Sequence, residues 1–283
     1  MNKKIWIVLI VCVCVGAFSR LFFYGDEKAE EAASFAPIIS ASGAILITAD
    51  EGEIIYEKDA DKKLMPASTT KIMTALVALE ILEEIGAGPD SRVIIPKEAV
   101  GVEGSSIYLK EGEKITIEEL LYGTMLQSGN DAATALAICC GGTLENFVDK
   151  MNEKAKELGC RNTNFINPSG LSHEEHYTTA GDLARIAREA MKNEYFRKIV
   201  GAKSWHGQDT ERTFSNKNKT VTQYEGATGI KIGYTKASGR TLVASAKRGE
   251  VELIAVVLND SNWFNDAYAM MDYGFSRKDI GKK

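Results

Sequence analysis

The sequence is poor in several residue types whose abundance would define a class of protein. Proline occurs only 5 times and glycine 25 times in 283 residues, and 45% of residues are hydrophobic against 26% charged. This ordinary globular mixture excludes collagen, intrinsic disorder and a multi-pass membrane architecture. A chain of this length can bury a sizeable core in one domain or two subdomains.

An excess of positive charge is also missing. The chain has 34 Lys and Arg against 39 Asp and Glu, a formal net charge of −5 at pH 7. Proteins that bind nucleic acid usually carry a basic surface that neutralises phosphates. We therefore expect no nucleic acid among the partners.

Cysteine is scarce and unevenly placed. Cys12 and Cys14 lie in an N-terminal apolar run, which leaves Cys139, Cys140 and Cys160. Three is an odd number, and a chain of this size does not need disulfides as its framework. A bond from Cys139 or Cys140 to Cys160 stays open beside the simpler interpretation of three small core residues. No CxxC or Cys/His spacing indicates zinc.

Histidine offers one eye-catching segment, His173-Glu-Glu-His176. The two histidines are three positions apart, they do not form the His-Glu-x-x-His motif of zinc peptidases, and the segment is typical of a loop. We therefore predict two surface histidines. No metal and no cofactor is expected.

Long apolar runs are absent except at the N-terminus. Ile5 to Phe18 is an unbroken run of 14 residues after Lys3 and Lys4, shorter than the roughly 20 residues of a full span. Cleavage after Ser19 fits a secretory signal, whereas Leu21 to Tyr24 prolongs the run and favours retention. Residues 1–25 are thus predicted to be a signal peptide or an N-terminal membrane anchor. The rest is exported, to the outer face of the cytoplasmic membrane or the cell wall.

The remainder divides into an acidic tether (26–37), a folded domain (38–275) and a short basic tail (276–283). Strand patterns occupy both ends of the domain and helical patterns its middle. This order predicts an α+β fold with one antiparallel sheet flanked by helices, and with the central helices forming a second lobe. The predicted elements are strands 44–47, 54–56, 229–234, 240–246 and 251–258 and helices 69–85, 115–138, 144–158, 178–192 and 262–274.

Ser68-Thr-Thr-Lys71 is the only S-x-x-K of the chain and is predicted to open a helix after Pro66. Residues three apart share a helix face, so the Ser68 hydroxyl and the Lys71 amine can meet. A serine needs a neighbouring base to become a nucleophile, and a lysine becomes one when its pKa is lowered. Taken alone, the motif is more typical of a capping serine with a surface lysine.

Two further segments complete the pattern. Ser128-Gly-Asn130 places a hydroxyl and a carboxamide two residues apart at a junction of helices, where a loop is the simpler interpretation. Lys231-Ile-Gly-Tyr-Thr235 lies in a predicted strand whose one face carries Lys231, Gly233 and Thr235. Glycine admits a ligand close to the backbone, and lysine can meet a carboxylate. A lysine that protects a sheet edge is the alternative.

The three motifs in this order resemble the penicillin-recognising serine enzymes. Their surroundings resemble one branch, the low-molecular-mass D-alanyl-D-alanine carboxypeptidases, over about residues 38–275. That resemblance implies a β-lactamase/DD-peptidase-like fold with the active site in the cleft between sheet and helical lobe. The segments that carry it are Pro66–Ala75, Ser128–Ala133, Asn167–Leu171, Tyr177–Ala180, Asp182–Ala184 and Gly229–Thr235.

The resemblance also implies catalytic roles. Ser68 would attack the carbonyl of the penultimate D-Ala of a peptidoglycan stem peptide and form an acyl-enzyme, and β-lactams would acylate the same residue. Lys71 would be the general base. Ser128 would pass a proton to the leaving D-Ala amine.

Substrate-binding roles follow from the same resemblance. Asn130 would bind the substrate amide, Lys231 the terminal carboxylate, and the backbone N–H groups of Ser68 and Tyr234 the oxyanion. Gly233 and Thr235 belong to the same binding strand.

One departure stands out, because the family strand normally reads Lys-Thr-Gly and this chain has Ile232 in the middle. A non-catalytic or weakly active peptidoglycan-binding protein is therefore one alternative. A serine β-lactamase is another, although its deacylating Glu-x-x-x-Asn motif occurs only as Glu189 to Asn193, where a surface glutamate is expected.

Overall fold

The computed structural model describes residues 35–207 and 210–277. The predicted signal peptide or anchor, the tether before residue 35 and the tail after residue 277 lie outside the described residues. Within those ranges, no helix has the length and apolar character needed to cross a membrane.

The main sheet is built from strands at both ends of the domain, as predicted. It is antiparallel with the order β2-β1-β9-β8-β7, so β7 is an edge strand and β2 is the other edge. In chain order the strands are β1 (Gly43–Thr48), β2 (Ile54–Lys58), β3 (Arg92–Ile94), β4 (Lys114–Thr116), β5 (Ser204–His206), β6 (Thr213–Ser215), β7 (Ala227–Thr235), β8 (Gly239–Arg248) and β9 (Val251–Leu258).

Helices fill the middle of the chain. Four of them begin at a Thr or Asn whose side-chain oxygen accepts a hydrogen bond from a backbone N–H three residues on, the usual N-cap arrangement. The helices are α1 (Lys71–Glu84), α2 (Ile117–Leu126), α3 (Asn130–Gly141), α4 (Leu144–Glu157), α5 (Ala180–Ala190), α6 (Glu194–Gly201), α7 (Thr220–Gln223) and α8 (Trp263–Ser276).

The central sheet separates two hydrophobic clusters. On one face, α8 packs on β8 and β9 over a smaller cluster that includes Leu46, Leu242 and Met271. The opposite face belongs to the larger cluster, which runs into the helical lobe around α1. Helix α1 is buried along nearly its whole length, as expected of a helix that is apolar all round. The functional residues described below lie where this lobe meets the edge of the sheet.

Several predicted boundaries differ from the structure. The predicted helix 115–138 is two helices, because the chain breaks between α2 and α3. The pairs β3–β4 and β5–β6 and helices α6 and α7 were not predicted. Three-residue strands are too short to show an alternating pattern.

The cysteines settle the disulfide alternative. Cys139, Cys140 and Cys160 are free thiols, so of the two alternatives left open, the disulfide is wrong. Cys160 is buried with its Sγ 3.6 Å from the Asp182 carbonyl oxygen, which agrees with a small core residue.

Candidate active site

Ser68 lies in a 3-10 turn, Ala67–Thr70, that leads directly into α1. Ala67 has a positive φ of 49°, and the turn contacts both β7 and β8. Ser68 is half-buried whereas Ala67 and Thr69 are buried on either side of it. The turn therefore holds the serine at the border between the helical lobe and the edge of the main sheet.

Lys71, the first residue of α1, is fully buried, and its amine has three partners. Lys71 Nζ lies 2.9 Å from Ser68 Oγ, 2.7 Å from Asn130 Oδ1 and 2.5 Å from the Ser169 carbonyl oxygen. The predicted meeting of serine and lysine is thus present. Two further residues bind the same amine: Asn130 at the start of α3, and Ser169 in the loop before α5.

The chemistry of these partners determines whether Ser68 or Lys71 is the donor in the hydrogen bond between them. An amide oxygen and a backbone carbonyl oxygen can only accept hydrogen bonds. A neutral Lys71 amine has two hydrogens, which it would donate to Asn130 Oδ1 and to the Ser169 carbonyl oxygen. Its lone pair would then face Ser68 Oγ. In that state the serine O–H donates to the amine, which is the arrangement that general-base activation requires.

Burial also favours the neutral amine. Desolvation lowers the pKa of Lys71 well below its ordinary value of 10.5, and the positive charges of Lys231 and Lys217 lower it further. The carboxylate of Asp131 acts in the opposite direction. A lysine with a lowered pKa is available as a base near neutral pH.

The loop Asn167-Pro-Ser-Gly-Leu171 presents the carbonyl that Lys71 uses. Asn167 Oδ1 accepts hydrogen bonds from the backbone N–H groups of Ser169, Gly170 and Leu171, which folds the loop around one side chain. Gly170 has a φ of 84°, and a Cβ there would overlap the Ala67 carbonyl oxygen. Asn167–Leu171 was one of the segments that carry the family resemblance, but its contact with Lys71 was not predicted. Its run of Asn, Pro, Ser and Gly is typical of a turn.

Ser128-Gly-Asn130 forms the break between α2 and α3. Ser128 has a positive φ of 61°, and Asn130 is the first residue of α3. Besides accepting from Lys71, Asn130 donates from Nδ2 to the Glu103 carbonyl oxygen at 2.6 Å. The break therefore directs the hydroxyl and the carboxamide of this motif toward the two buried lysines.

Asp131, next to this motif, is a residue that the sequence analysis did not single out. Its buried carboxylate accepts hydrogen bonds from the Ser106 hydroxyl and from the backbone N–H groups of Ile107 and Leu109. It thereby fixes the loop that contacts Asn130.

Lys231 on β7 is buried although β7 is an edge strand. Its Nζ donates to Ser128 Oγ at 3.1 Å and to the Ile232 carbonyl oxygen at 3.1 Å. Desolvation, followed by the charge of Lys217, lowers its pKa to about 7. A solvent-exposed gatekeeper lysine, the alternative interpretation, does not fit a side chain that is 1% exposed.

Gly233 faces the turn that carries the serine. A Cβ at this position would lie 2.8 Å from the backbone nitrogen of Ser68 and would collide with Thr241 Oγ1. The close approach of β7 to Ser68 therefore requires glycine here.

The neighbours of Gly233 differ in their surroundings. Tyr234 is 62% exposed. Thr235 shares a hydroxyl cluster, in which the Ser172 hydroxyl donates to Thr235 Oγ1 at 3.0 Å and Thr235 Oγ1 donates to Ser238 Oγ at 2.9 Å. Ile232 lies opposite Leu242 of β8 and packs against the cluster under α8.

Lys217 is a third lysine near the site, and it was not predicted from the sequence. It is exposed, its Nζ donates to the Gln127 carbonyl oxygen at 2.8 Å, and its charge lowers the pKa of both buried lysines. The site therefore combines the Ser68 hydroxyl with a neighbouring amine and with two further lysines, Lys231 and Lys217, that suit an anionic ligand.

The histidine prediction is half right. His173 is exposed, but His176 is only 1% exposed and contacts Thr70 of the serine turn. The prediction of a surface histidine at 176 is wrong. The chain turns toward the protein interior here, because Tyr177 and Thr178 form isolated β-bridges with Asn164 and Leu64.

The Glu-x-x-x-Asn segment is structural. Glu189 forms an ion pair of 2.6 Å with Lys192 at the end of α5, and Asn193 caps α6. Both side chains are thus occupied in local contacts.

Comparisons with known proteins give one family. The family model described as D-alanyl-D-alanine carboxypeptidase matches residues 29–262. Among curated proteins, the chain is 40% identical over 243 residues to the D-alanyl-D-alanine carboxypeptidase DacF of Bacillus subtilis and 35% identical over 261 residues to a D-alanyl-D-alanine carboxypeptidase of a Streptomyces species. These alignments cover 84% and 85% of this chain but 62% and 89% of the two relatives.

Solved structures of similar proteins have the same fold. A Streptomyces DD-transpeptidase superposes with a TM-score of 0.81 at 35% identity, over 86% of this chain and all of that one. The D-alanyl-D-alanine carboxypeptidase DacD of Francisella tularensis gives a TM-score of 0.79 at 29% identity, over 86% of this chain and 72% of that one. The α+β fold predicted from the sequence is the fold of these proteins.

Proposed function

Because the chain belongs to the D-alanyl-D-alanine carboxypeptidase family, we propose that it is a serine-type carboxypeptidase of peptidoglycan. Its substrate is a stem pentapeptide ending in D-Ala-D-Ala, and its product is the same peptide without the last D-Ala. The observation that carries this proposal is the buried Lys71 amine, which lies 2.9 Å from Ser68 Oγ and has two partners, Asn130 Oδ1 and the Ser169 carbonyl oxygen, that can only accept.

Acylation begins with the proton of the Ser68 hydroxyl, which moves to Lys71 Nζ as Oγ bonds to the carbonyl carbon of the penultimate D-Ala. The negative charge then rests on the former carbonyl oxygen. The backbone N–H groups of Ser68 and Tyr234 stabilise this oxyanion. The close approach of Gly233 to Ser68 supports this role for the two neighbouring N–H groups.

Departure of D-Ala breaks the carbon–nitrogen bond and requires a proton on the leaving nitrogen. Ser128 donates its hydroxyl hydrogen to this nitrogen, since its Oγ accepts from Lys231 and that hydrogen remains to be donated. The proton that Lys71 took from Ser68 replaces it, so Ser128 is again a hydroxyl and Lys71 again a neutral amine. Water then attacks the carbonyl carbon of the ester on Ser68 while the neutral Lys71 amine takes one of its protons. Lys71 returns that proton to Ser68 Oγ as the ester carbon–oxygen bond breaks and the shortened peptide leaves. A β-lactam follows the first half of this path and leaves its opened ring bound to Ser68.

Positive charge selects the terminal carboxylate. The charge of the exposed Lys217 lowers the pKa of Lys231 at the end of the site, and a carboxylate placed between the two lysines would relieve this repulsion. The second Nδ2 hydrogen of Asn130 is left for a carbonyl of the stem peptide.

The protein acts outside the cytoplasmic membrane, where its substrate is found. The basic and apolar residues 1–25 support export, and attachment to the membrane through this segment is the finer proposal. A soluble form released into the medium after cleavage of this segment would overturn the attachment.

The deciding experiment is the intact mass of the purified chain after incubation with benzylpenicillin, with Ser68→Ala as control. A stable adduct with the full mass of the drug on the wild type alone is expected, because ring opening loses no atoms. No adduct together with intact penicillin would indicate a binding protein without acylation chemistry. No adduct together with consumed penicillin would indicate a β-lactamase.

The pH dependence of acylation follows from Lys231. With a pKa of about 7, this lysine is charged below that pH and neutral above it, so recognition of the carboxylate weakens as pH rises through about 7. The rate constant at low β-lactam concentration, which reports the free enzyme, should therefore fall on the alkaline side. Lys231→Arg keeps its charge at all these pH values and should lose this decline. An undiminished wild-type rate well above pH 8 would contradict the assignment.

Ile232→Thr tests the departure from the family strand. A hydrogen bond to a charged group contributes roughly 1.5–3 kcal/mol, and each 1.36 kcal/mol is about tenfold in rate. We expect the variant to release D-Ala and to react with penicillin about ten- to a hundredfold faster than the wild type. Ile232→Val, which adds no hydroxyl, is the matched control. Since Ile232 packs toward α8, unchanged rates would mean that this position does not reach the carboxylate.

A further inference from the structure

A buried histidine joins the serine turn to the loop that holds the lysine. The imidazole of His176 lies 2.9 Å, through Nε2, from Thr70 Oγ1, and the backbone N–H of Ile166 donates to its Nδ1 at 3.2 Å. The side chain is 1% exposed, and Thr70 is fully buried. This contact is sealed from water, and its partners are 106 positions apart in the chain.

The two contacts define the tautomer. Because Nδ1 accepts the Ile166 N–H, the ring hydrogen of a neutral imidazole is on Nε2 and is donated to Thr70 Oγ1. Burial keeps the ring neutral: desolvation, followed by the charges of His173 and Lys71, lowers its pKa from 6.5 to about 4. The hydrogen bond to Thr70 therefore persists throughout the neutral pH range.

The position of Thr70 gives the contact its importance. Thr70 directly precedes Lys71 and closes the turn that contains Ser68. His176 belongs to the same stretch as Ser169, whose carbonyl oxygen accepts from Lys71. The imidazole thus ties together the two chain segments that surround the amine.

We propose that His176 is a positioning residue of the reaction, which acts through Thr70 to hold the Lys71 amine against Ser68 Oγ and away from water. The inference rests on the proposed function, in which Lys71 is the base. His176 contacts no substrate, and its task is to keep the serine turn and the lysine loop in register.

Loss of this contact should change the titration of the base. The charged groups that face Lys71 are Lys231 from β7, Lys217 from the segment before α7 and Asp131 from α3. None of these changes when the His176 contact is removed, but a loosened turn admits water to the amine. The pKa of Lys71 would then rise toward its ordinary value, and the acid side of the rate profile would move to higher pH.

The test uses paired variants on both sides of the bond. Thr70→Val removes the hydroxyl that accepts from His176, and Thr70→Ser keeps it. His176→Gln retains a donor near the position of Nε2, whereas His176→Asn retains only an acceptor near Nδ1. His173→Ala, on the same loop but exposed, is the control for general effects of mutating this segment.

The measurement is the second-order rate of acylation by a fluorescent penicillin from about pH 5 to about pH 10, with thermal unfolding of each variant. Thr70→Val and His176→Asn should react roughly ten- to a hundredfold more slowly at neutral pH, as expected for a small misplacement of the base. Their acid limbs should move to higher pH. Thr70→Ser, His176→Gln and His173→Ala should remain close to the wild type.

A slower Thr70→Val with an unshifted profile would overturn the inference, because it would reduce the contact to a structural one. Equal rates for Thr70→Val and Thr70→Ser would overturn it as well. If His176→Asn does not fold, the threonine pair decides alone. Failure of the wild type to react would instead overturn the proposed function, so the two failures are distinguishable.

Discussion

Lys71→Met is expected to lower the rate of acylation by benzylpenicillin by about a hundred- to ten-thousandfold, the usual contribution of a general base. The methionine fills the volume of the lysine stem but has no lone pair to receive the Ser68 proton. Methionine leaves Asn130 Oδ1 and the Ser169 carbonyl oxygen without the Lys71 donor, which costs roughly 1–3 kcal/mol of stability for a buried group, so the variant should be less stable but folded. The measurement is the rate of adduct formation by mass spectrometry, with thermal unfolding as the check on the fold.

Lys71→Arg distinguishes a residue that acts as a base from one that acts through its positive charge. Arginine keeps the positive charge and can donate to Asn130 Oδ1 and the Ser169 carbonyl oxygen, but it is not deprotonated in proteins. If Lys71 is the base, this variant should be nearly as slow as Lys71→Met. An arginine variant within about tenfold of the wild type would show that the residue acts through its charge alone.

The amine could be placed beside the serine from the sequence because three-residue spacing is a local property. The other two partners of Lys71 could not, since Asn130 and Ser169 are 59 and 98 positions away along the chain. Only the resemblance to a family connected Asn130 with the serine. The carbonyl of Ser169 carries no side-chain signal at all.

Strands β1, β8 and β9 were predictable because each contains six consecutive buried residues. The break at Ser128 was visible only as a junction, and its positive φ could not be predicted from a serine. The three-residue strands are too short to carry a local pattern, and helix α6, although amphipathic and capped by Asn193, has only eight residues.

His176 shows why polarity alone is a poor guide to exposure. It follows the exposed residues His173, Glu174 and Glu175, so the segment has the composition of a surface loop. The burial of the ring depends on two distant partners, Thr70 and Ile166, that satisfy both of its nitrogens. A polar side chain can be buried when its polar atoms are hydrogen-bonded, and no local sequence pattern predicts such bonds.

Gly233→Ala is the second variant for which a large effect is expected. The added methyl group would lie 2.8 Å from the Ser68 nitrogen and collide with Thr241 Oγ1, so the strand must move away from the serine turn. That displacement would spoil the pair of N–H groups proposed to bind the oxyanion. The loss of one such donor costs roughly a hundred- to a thousandfold in rate, and we expect acylation to slow by about that factor.

Two further variants serve as controls for Gly233→Ala. Gly181→Ala, at the start of α5, places its methyl group in ordinary contact 3.5 Å from the Ala60 carbonyl oxygen and should keep the wild-type rate. Gly233→Ala combined with Thr241→Ala removes the collision with the hydroxyl but leaves the methyl group against Ser68. If the double variant recovers, the single variant fails because β7 and β8 are pushed apart. If it stays slow, the space beside the Ser68 N–H is what the glycine protects.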